Sequence, residues 1–202
     1  MVLGAGYDTF GYRIRSFPLL RVFEVDAPLT QQDKCARLAA AGIDVPAHMA
    51  YVAVDFARED LREKLKRAGF DERRPAFFIW LGVIYYLTAE NGFDVLRAVG
   101  NLAGEAEIVL DYQTRPSTDL PPEILARREA NLKRIAALGE PVRNLIETDD
   151  LHPALARFGF TGLEDLGPLE IFSRYAGDGQ ATFHPTRGWR FLHAVKPARA
   201  GA

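Results

Sequence analysis

The hydrophobic positions of this chain form short apolar runs separated by segments with helical periodicity. Runs of about four to eight apolar residues are typical of buried strands, whereas apolar residues three and four positions apart are typical of one helix face. Alternation of the two patterns favours a parallel sheet with helices on both faces. The runs predicted as strands are Met1–Leu3, Arg21–Val25, Ala50–Val54, Ala76–Trp80 and Glu107–Leu110.

Two helices between these runs carry recognisable end signals. Leu61 and Leu65 recur at helical spacing within Arg58–Ala68, and Gly69 is placed to end that helix. Thr88 is predicted to cap the next helix, because its hydroxyl can accept a hydrogen bond from a free backbone N–H group. The positions of that helix predicted to pack on the sheet are Val95, Leu96, Val99 and Leu102.

The second half of the chain leaves this alternation, because prolines mark a connection after Tyr112. A helical insertion over the sheet edge is predicted for 113–145. Two helices are predicted from there on: Glu123–Leu138, and a shorter helix capped by Asp149 or Asp150 that ends near Phe158. Two strands are predicted to follow, Gly162–Leu166 and Trp189–Val195, with a loop over Tyr175–Arg187 between them. These two strands are predicted to pair as an antiparallel ribbon at one sheet edge.

Length and composition narrow the class of protein. The 202 residues suit a single domain, predicted over 1–197 with a tail at 198–202. A formal net charge of −2 provides no broad basic surface, so no nucleic-acid partner is expected. The apolar stretch Ala76–Leu87 is too short to span a membrane, and no signal peptide is recognised. Cys35 is the only cysteine, which favours a reducing compartment, and a cytoplasmic location is predicted.

Three features fall at predicted carboxyl ends of strands, where open α/β sheets bind ligands. Gly4 and Gly6 follow the first strand and lack the Cβ atom that would keep a ligand away from the backbone. Asp26 ends the second strand, where a carboxylate can accept both hydroxyls of a ribose. Asp55 ends the third strand, and the ring of Phe56 can lie against a purine. Their order predicts a cofactor with a nucleoside, although each aspartate alone equally suits a turn or a helix cap.

The glycine pattern separates two classes of cofactor. A dinucleotide fingerprint has a third glycine where this chain has Thr9, which disfavours an NAD(P)-dependent oxidoreductase. A ligand with a single nucleoside and no pyrophosphate, such as S-adenosyl-L-methionine, does not require that glycine. The histidines show no pair at metal-ligand spacing, so no metal site is predicted. No plausible His–acid pair for general-base catalysis is evident either.

Four segments in order resemble the leucine carboxyl methyltransferase family, in particular its bacterial branch of S-adenosyl-L-methionine-dependent methyltransferases. They are Val-Leu-Gly-Ala-Gly-Tyr-Asp-Thr, Val-Phe-Glu-Val-Asp-Ala-Pro, Val-Asp-Phe and Trp-Leu-Gly-Val-Ile-Tyr-Tyr-Leu-Thr. The resemblance implies the class I, Rossmann-like methyltransferase fold, an α/β fold with a mostly parallel seven-stranded sheet and an antiparallel last strand. It also implies S-adenosyl-L-methionine as cofactor and methyl transfer to a carboxylate or hydroxyl of a small-molecule or other carboxylate-bearing acceptor.

The same resemblance implies roles for individual residues. Leu81 stands where the family pattern has a glutamate that faces the polar end of the cofactor, so weaker cofactor binding is expected. The positions matched to the cofactor are Gly4, Ala5 and Gly6 at its methionine end, Asp26 at its ribose, and Asp55 with Phe56 at its adenine; Tyr86 is matched near the transferred methyl group.

Two alternatives stay open beside this reading. Nothing in the chain matches the helices that precede the first strand in the family, so a truncated, non-catalytic domain with weak or no cofactor binding is the second hypothesis. An NAD(P)-dependent oxidoreductase is the third. The sequence leaves the acceptor and the oligomeric state open.

Overall fold

Seven strands form one sheet in this computed structural model, which describes residues 1–14, 17, 19–115, 121–175 and 188–199. The spatial order is β3-β2-β1-β4-β5-β7-β6; strands β1 to β5 pair in parallel, and β7 runs antiparallel to both of its neighbours. The expected class I methyltransferase sheet and its terminal antiparallel ribbon are therefore confirmed. The strands are β1 (Val2–Leu3), β2 (Val22–Asp26), β3 (Met49–Ala53), β4 (Ala76–Trp80), β5 (Ala106–Gln113), β6 (Thr161–Leu166) and β7 (Trp189–Lys196).

Seven α-helices and one short 3-10 helix, Ile84–Tyr86, lie in the part of the chain that the structure describes. The α-helices are α1 (Phe10–Arg13), α2 (Pro28–Ala40), α3 (Leu61–Arg67), α4 (Ala89–Gly100), α5 (Pro122–Ala137), α6 (Thr148–Arg157) and α7 (Pro168–Tyr175). Helix α5 agrees with the predicted long helix to within one residue at each end. Most of the predicted loop after Tyr175 lies outside the described residues.

The end signals of α3 and α4 act as predicted. Gly69 has a φ of 84° and ends α3, and the Phe70 N–H group donates to the Leu65 carbonyl at 3.0 Å. The Thr88 hydroxyl accepts a hydrogen bond from the Asn91 N–H group at 3.3 Å. The four predicted apolar positions from α4 onward, at 95, 96, 99 and 102, are all buried in the core.

The predicted start of α3 at Arg58 is wrong. The helix begins at Leu61, because the Asp60 carboxylate caps it by accepting a hydrogen bond from the Glu63 N–H group at 2.9 Å. The residues before Asp60 form a turn at the carboxyl end of β3, so the helix cannot start there.

The predicted caps of α6 are also wrong. The helix begins at Thr148 after Glu147, and Asp149 and Asp150 lie in its first turn. Their negative charges there stabilise the partial positive charge of the helix start without capping it.

The sheet positions the strand ends that matter for function. Leu3 of β1 pairs with Val25 of β2, and Asp26 of β2 pairs with Ala53 of β3. Because these strands are parallel, the glycine turn, Asp26 and Asp55 all emerge at one edge, called here the carboxyl edge. The largest side chains with almost no exposure hold the sheet to its helices: Trp80, Tyr112, Phe78, Leu3, Leu65, Ile84, Leu96, Ile108, Leu110, Leu151, Leu155 and Leu192.

A cavity of about 630 Å³ lies at the opposite edge, lined by Met1, Val22, Phe70, Ala76 and other residues at the amino ends of the strands. Ligands of open α/β sheets bind at the carboxyl ends instead, so we place the candidate site there despite the size of this cavity. Among the described residues, no helix has the length and apolar character needed to cross a membrane.

Candidate cofactor site at the carboxyl edge of the sheet

The glycine turn leaves β1 and closes back on β2. The Gly4 and Ala5 N–H groups both donate to the Val25 carbonyl, at 2.8 and 3.1 Å. Gly4 and Gly6 have φ angles of 67° and 48°, in the left-handed region that favours glycine. A Cβ atom on Gly4 would lie 2.3 Å from Cγ2 of Val83, whereas one on Gly6 would have no heavy atom within 4 Å. Gly4 therefore permits close packing, and Gly6 faces open space in which a ligand can approach the backbone.

Asp26 is joined directly to this turn. One oxygen of its carboxylate, Oδ2, accepts a hydrogen bond from the Gly6 N–H group, and Oδ1 accepts one from the Ala27 N–H group at 2.6 Å. Asp26 is half-buried, and each carboxylate oxygen keeps a further lone pair. The structure thus brings Asp26 and the glycine turn together as one unit with acceptors left for two hydroxyl groups.

Asp55 lies further along the same edge. The Val54 N–H group donates to the Asp26 carbonyl at 2.8 Å, so the chain enters Asp55 directly beside the end of β2. The Asp55 carboxylate accepts a hydrogen bond from the Ala57 N–H group at 2.9 Å and lies 3.7 Å from Nε of Arg58. Its side chain is 43% exposed, so it holds its own turn and still faces solvent. It does not cap α3, which was the alternative reading.

Phe56 follows Asp55 and is half-buried against Trp80, with 6.5 Å between the ring centroids. A cavity of about 320 Å³ opens beside Phe56, between residues 56–61 and one face of α4. An acceptor-rich turn followed by an aromatic face and free space suits the sugar and base of an adenosine. The residues at the carboxyl edge therefore fit the adenosine of a nucleoside cofactor.

The segment after β4 carries Leu81 and Tyr86. Leu81 is 43% exposed at the carboxyl edge, and Gly82 turns the chain with a φ of 76°. Tyr86 is half-buried in the 3-10 helix, with its ring 4.7 Å from that of Tyr85. Burial raises the pKa of Tyr86, with a smaller contribution from Glu140, so its phenol stays protonated at neutral pH.

Asp111 on β5 supports that segment and was missed by the sequence reasoning. Its side chain is buried, and its two oxygens accept hydrogen bonds from the Gly82 N–H group at 2.6 Å and from Nε1 of Trp189 at 2.8 Å. The Trp189 ring contacts that of Tyr85 at 5.7 Å. Burial raises the pKa of Asp111, while these two hydrogen bonds oppose the rise. The available signal was a carboxylate within the apolar run Ile-Val-Leu-Asp-Tyr, where a charge is costly unless it has partners.

A buried ion pair lies beneath the glycine turn and was also missed. Glu24 on β2 and Lys34 on α2 are 1% and 4% exposed, and Oε2 of Glu24 lies 2.5 Å from Nζ of Lys34. Burial raises the pKa of Glu24, and the Lys34 ammonium opposes that rise. The signal was again a charged residue inside a strand flanked by apolar residues.

The expectation that no His–acid pair exists is wrong. Nε2 of His152 on α6 lies 2.7 Å from Oδ2 of Asp165, and Nε2 of His193 lies 2.9 Å from Oε2 of Glu107. Asp165 also accepts hydrogen bonds from the Tyr112 hydroxyl at 2.5 Å and from Nε of Arg190 at 2.8 Å, which makes it a buried link between β5, β6 and β7.

These pairs do not form a metal site. The described residues contain no group of three or more His, Cys, Asp and Glu side chains placed to hold a metal ion. His184 lies outside the described residues.

Comparison with known proteins bears directly on this edge of the sheet. The sequence model of the leucine carboxyl methyltransferase family matches residues 1–100, which contain the glycine turn, Asp26, Asp55 and Tyr86. This part of the chain is therefore similar to that family.

Individual proteins are similar to this chain in sequence or in structure. "Putative S-adenosyl-L-methionine-dependent methyltransferase YktD" of Bacillus subtilis is 30% identical over 97% of this chain, which spans 64% of that relative's length. A possible exported protein from Bordetella parapertussis has a similar structure, with a TM-score of 0.63 and 19% identity over 98% of this chain and 61% of that one. Magnesium protoporphyrin IX methyltransferase from Synechocystis, solved with S-adenosylhomocysteine, has a TM-score of 0.52 and 16% identity over 96% of this chain and 72% of its own. The structural likenesses establish the class I methyltransferase fold for this chain.

Proposed function

We propose that this chain is a member of the leucine carboxyl methyltransferase family, binds S-adenosyl-L-methionine along the carboxyl edge and is an O-methyltransferase that acts on a carboxylate or hydroxyl of its acceptor. The observation that carries the proposal is the unit formed by Gly6 and Asp26, in which an open glycine backbone lies next to a half-buried carboxylate. The family match supports the same class of enzyme. No comparison supports the NAD(P)-dependent oxidoreductase alternative.

In this proposal, different residues contact different parts of the cofactor. Gly4, Ala5 and Gly6 approach the methionine end, where the absence of a Cβ atom on Gly6 leaves space. Asp26 accepts hydrogen bonds from the ribose hydroxyls with its remaining lone pairs. The adenine lies against Phe56, and Asp55 accepts a hydrogen bond from the adenine amino group.

For methyl transfer, the chain must chiefly align the acceptor with the cofactor. The sulfonium of S-adenosyl-L-methionine supplies the methyl group, and an acceptor oxygen must be held in line with it. A carboxylate acceptor is already ionised near neutral pH, so the site needs no general base for it. Tyr86 is proposed to donate its phenolic proton in a hydrogen bond to an acceptor oxygen and so to orient it, which its raised pKa permits.

The bounds of the domain, the cellular location and the class of acceptor are also part of the proposal. We place the methyltransferase domain at 1–197, with 113–145 as a helical insertion and 198–202 as a tail, of which Arg199 donates its N–H group to the Ala103 carbonyl at 2.9 Å. We further propose a cytoplasmic location and a small-molecule or other carboxylate-bearing acceptor. Because the chain spans less than two thirds of its matched relative, the activity of the whole protein belongs to the proposal.

Calorimetric titration with S-adenosylhomocysteine tests the proposal. We expect saturable binding to the wild-type chain and a dissociation constant about ten- to a hundredfold higher for Asp26→Ala, because hydrogen bonds to a charged acceptor are lost. Asp71→Ala removes an exposed carboxylate at the far edge and should leave the affinity unchanged. Heat with NADH instead would favour the oxidoreductase, and no heat with either ligand would favour the non-catalytic domain.

A second prediction concerns Leu81. Because this exposed leucine stands where the family pattern has a glutamate, Leu81→Glu is expected to tighten S-adenosylhomocysteine binding by about tenfold through one charge-assisted hydrogen bond. Leu81→Gln, with similar length and no charge, is the matched control and should gain less. Equal affinities of wild type and Leu81→Glu in the same titration would mean that this position does not face the ligand.

A further inference from the structure

The buried positions of α2 are polar rather than apolar. The buried residues of this helix are Gln31 and Lys34, one turn apart. Nε2 of Gln31 donates to the Glu24 carbonyl at 3.2 Å, and Nζ of Lys34 reaches the carboxylate of the same residue. Helix α2 is therefore attached to β2 by polar contacts that require a defined geometry, where ordinary packing would use apolar side chains.

Lys34 links this attachment to the glycine turn. Its Nζ donates at 2.5 Å to the carbonyl of Asp8, the residue that closes the turn, and the Asp8 N–H group donates to the Ala5 carbonyl at 2.8 Å. The Lys34 ammonium therefore contacts the turn and the strand beneath it at once.

Glu24 and Asp26 of β2 each hold a different part of the glycine turn. They are two residues apart on one strand and therefore face the same side of the sheet. Asp26 holds the turn at Gly6 through its carboxylate, while Glu24 holds it at Asp8 through Lys34. The turn is thus fixed at two points by two carboxylates of the same strand.

Burying this pair is costly, and the pair is incompletely satisfied. Glu24 is 1% exposed, and its Oε1 has no hydrogen-bond partner among the residues that the structure describes. A buried ion pair is often no better for stability than apolar residues of similar volume. Its contact with the turn is therefore a better explanation for the pair than stability alone.

We propose that Lys34 and Glu24 are positioning residues for cofactor binding. They hold residues 4–8 so that the open backbone at Gly6 and the free lone pairs of Asp26 face the same ligand. This inference rests on the proposed function for its ligand, but the positioning of the turn can be measured without any ligand.

The primary test is hydrogen–deuterium exchange of the amides of residues 4–8. Lys34→Met removes the donor to the Asp8 carbonyl, and we expect exchange in this segment to rise about tenfold or more. In the same variant the dissociation constant for S-adenosylhomocysteine is expected to rise about tenfold. Because Lys34→Met leaves an unpaired buried carboxylate, the double variant Lys34→Met/Glu24→Gln is made in parallel to restore stability without restoring the donor.

Lys196→Met is the matched control. Lys196 is also a buried lysine, 3% exposed, and its Nζ donates to the carbonyls of Leu102 and Gly104 at 2.5 and 2.8 Å. It lies on β7, which is separated from β1 and the glycine turn by β4 and β5. It should lower thermal stability without changing exchange at residues 4–8 or ligand affinity.

The outcomes separate the two proposals. Fast exchange at residues 4–8 in the double variant, with a melting temperature near that of the wild type, supports positioning. Exchange at residues 4–8 no faster than in Lys196→Met overturns it. If the wild-type chain fails to bind S-adenosylhomocysteine, the proposed function fails, while the exchange comparison still decides whether the pair positions the turn.

Discussion

Gly4→Ala is expected to abolish measurable S-adenosylhomocysteine binding and to lower the free energy of unfolding by about 2–5 kcal/mol. Two physical effects add at this position. A left-handed φ of 67° is strained for alanine, which costs about 1–2 kcal/mol. The new methyl group would also lie 2.3 Å from Cγ2 of Val83, so either Val83 or the turn must move. Movement of the turn separates Gly6 from Asp26, and the ligand site is lost with it.

Gly42→Ala is the matched control for the first effect. Gly42 has a φ of 66°, and a Cβ atom there would meet no heavy atom within 4 Å. It should therefore lose only about 1–2 kcal/mol and keep its ligand affinity. Urea unfolding of both variants measures the difference, and Gly4→Ala/Val83→Ala should recover part of the loss by making room. Equal losses at positions 4 and 42 would mean that the contact with Val83 carries no energy.

Asp111→Ala is expected to have the second largest effect, lowering the free energy of unfolding by about 3 kcal/mol. The substitution leaves the Gly82 N–H group and Nε1 of Trp189 without their acceptor in a buried environment. The loss should loosen the segment that carries Leu81 and the contact of Trp189 with Tyr85. Urea unfolding checks the stability, and the exposed Asp71→Ala variant should show little change.

The pH dependence of Asp111 provides an independent check. Burial raises the pKa of this carboxyl in the folded chain, so between the ordinary aspartate pKa of about 3.9 and the raised value the folded state binds more protons than the unfolded state. The stability that Asp111 contributes is therefore largest below that window and falls as the pH rises through it. The difference in unfolding free energy between wild type and Asp111→Ala should shrink across the window and become constant above it. A difference that grows with pH would contradict the raised pKa.

The strands, the glycine turn and some helix ends could be predicted from the sequence because their causes are local. Gly69 and Thr88 act on backbone groups within a few residues, and the apolar runs that form β1 to β5 are recognisable without knowledge of their partners. Asp26 and Asp55 could be predicted for the same reason, since each follows an apolar run. Helix α2 was not predicted, because its buried positions are Gln31 and Lys34 rather than an apolar stripe.

The residues that hold the site in place depended on the tertiary structure. Asp111 accepts hydrogen bonds from Gly82, 29 positions away in sequence, and from Trp189, 78 positions away. His152 on α6 contacts Asp165 on β6. Lys34 lies 26 positions after the Asp8 carbonyl that it binds. No periodicity or spacing predicts such pairs, because they arise only when strands distant in sequence become neighbours in the sheet.

The sequence by itself determined the family resemblance, the order of the strands and the carboxylates at the strand ends, since each depends on residues adjacent along the chain. The tertiary structure alone decided which buried charges meet and which backbone groups they hold, because a charge can be buried at low cost only beside partners that folding brings to it.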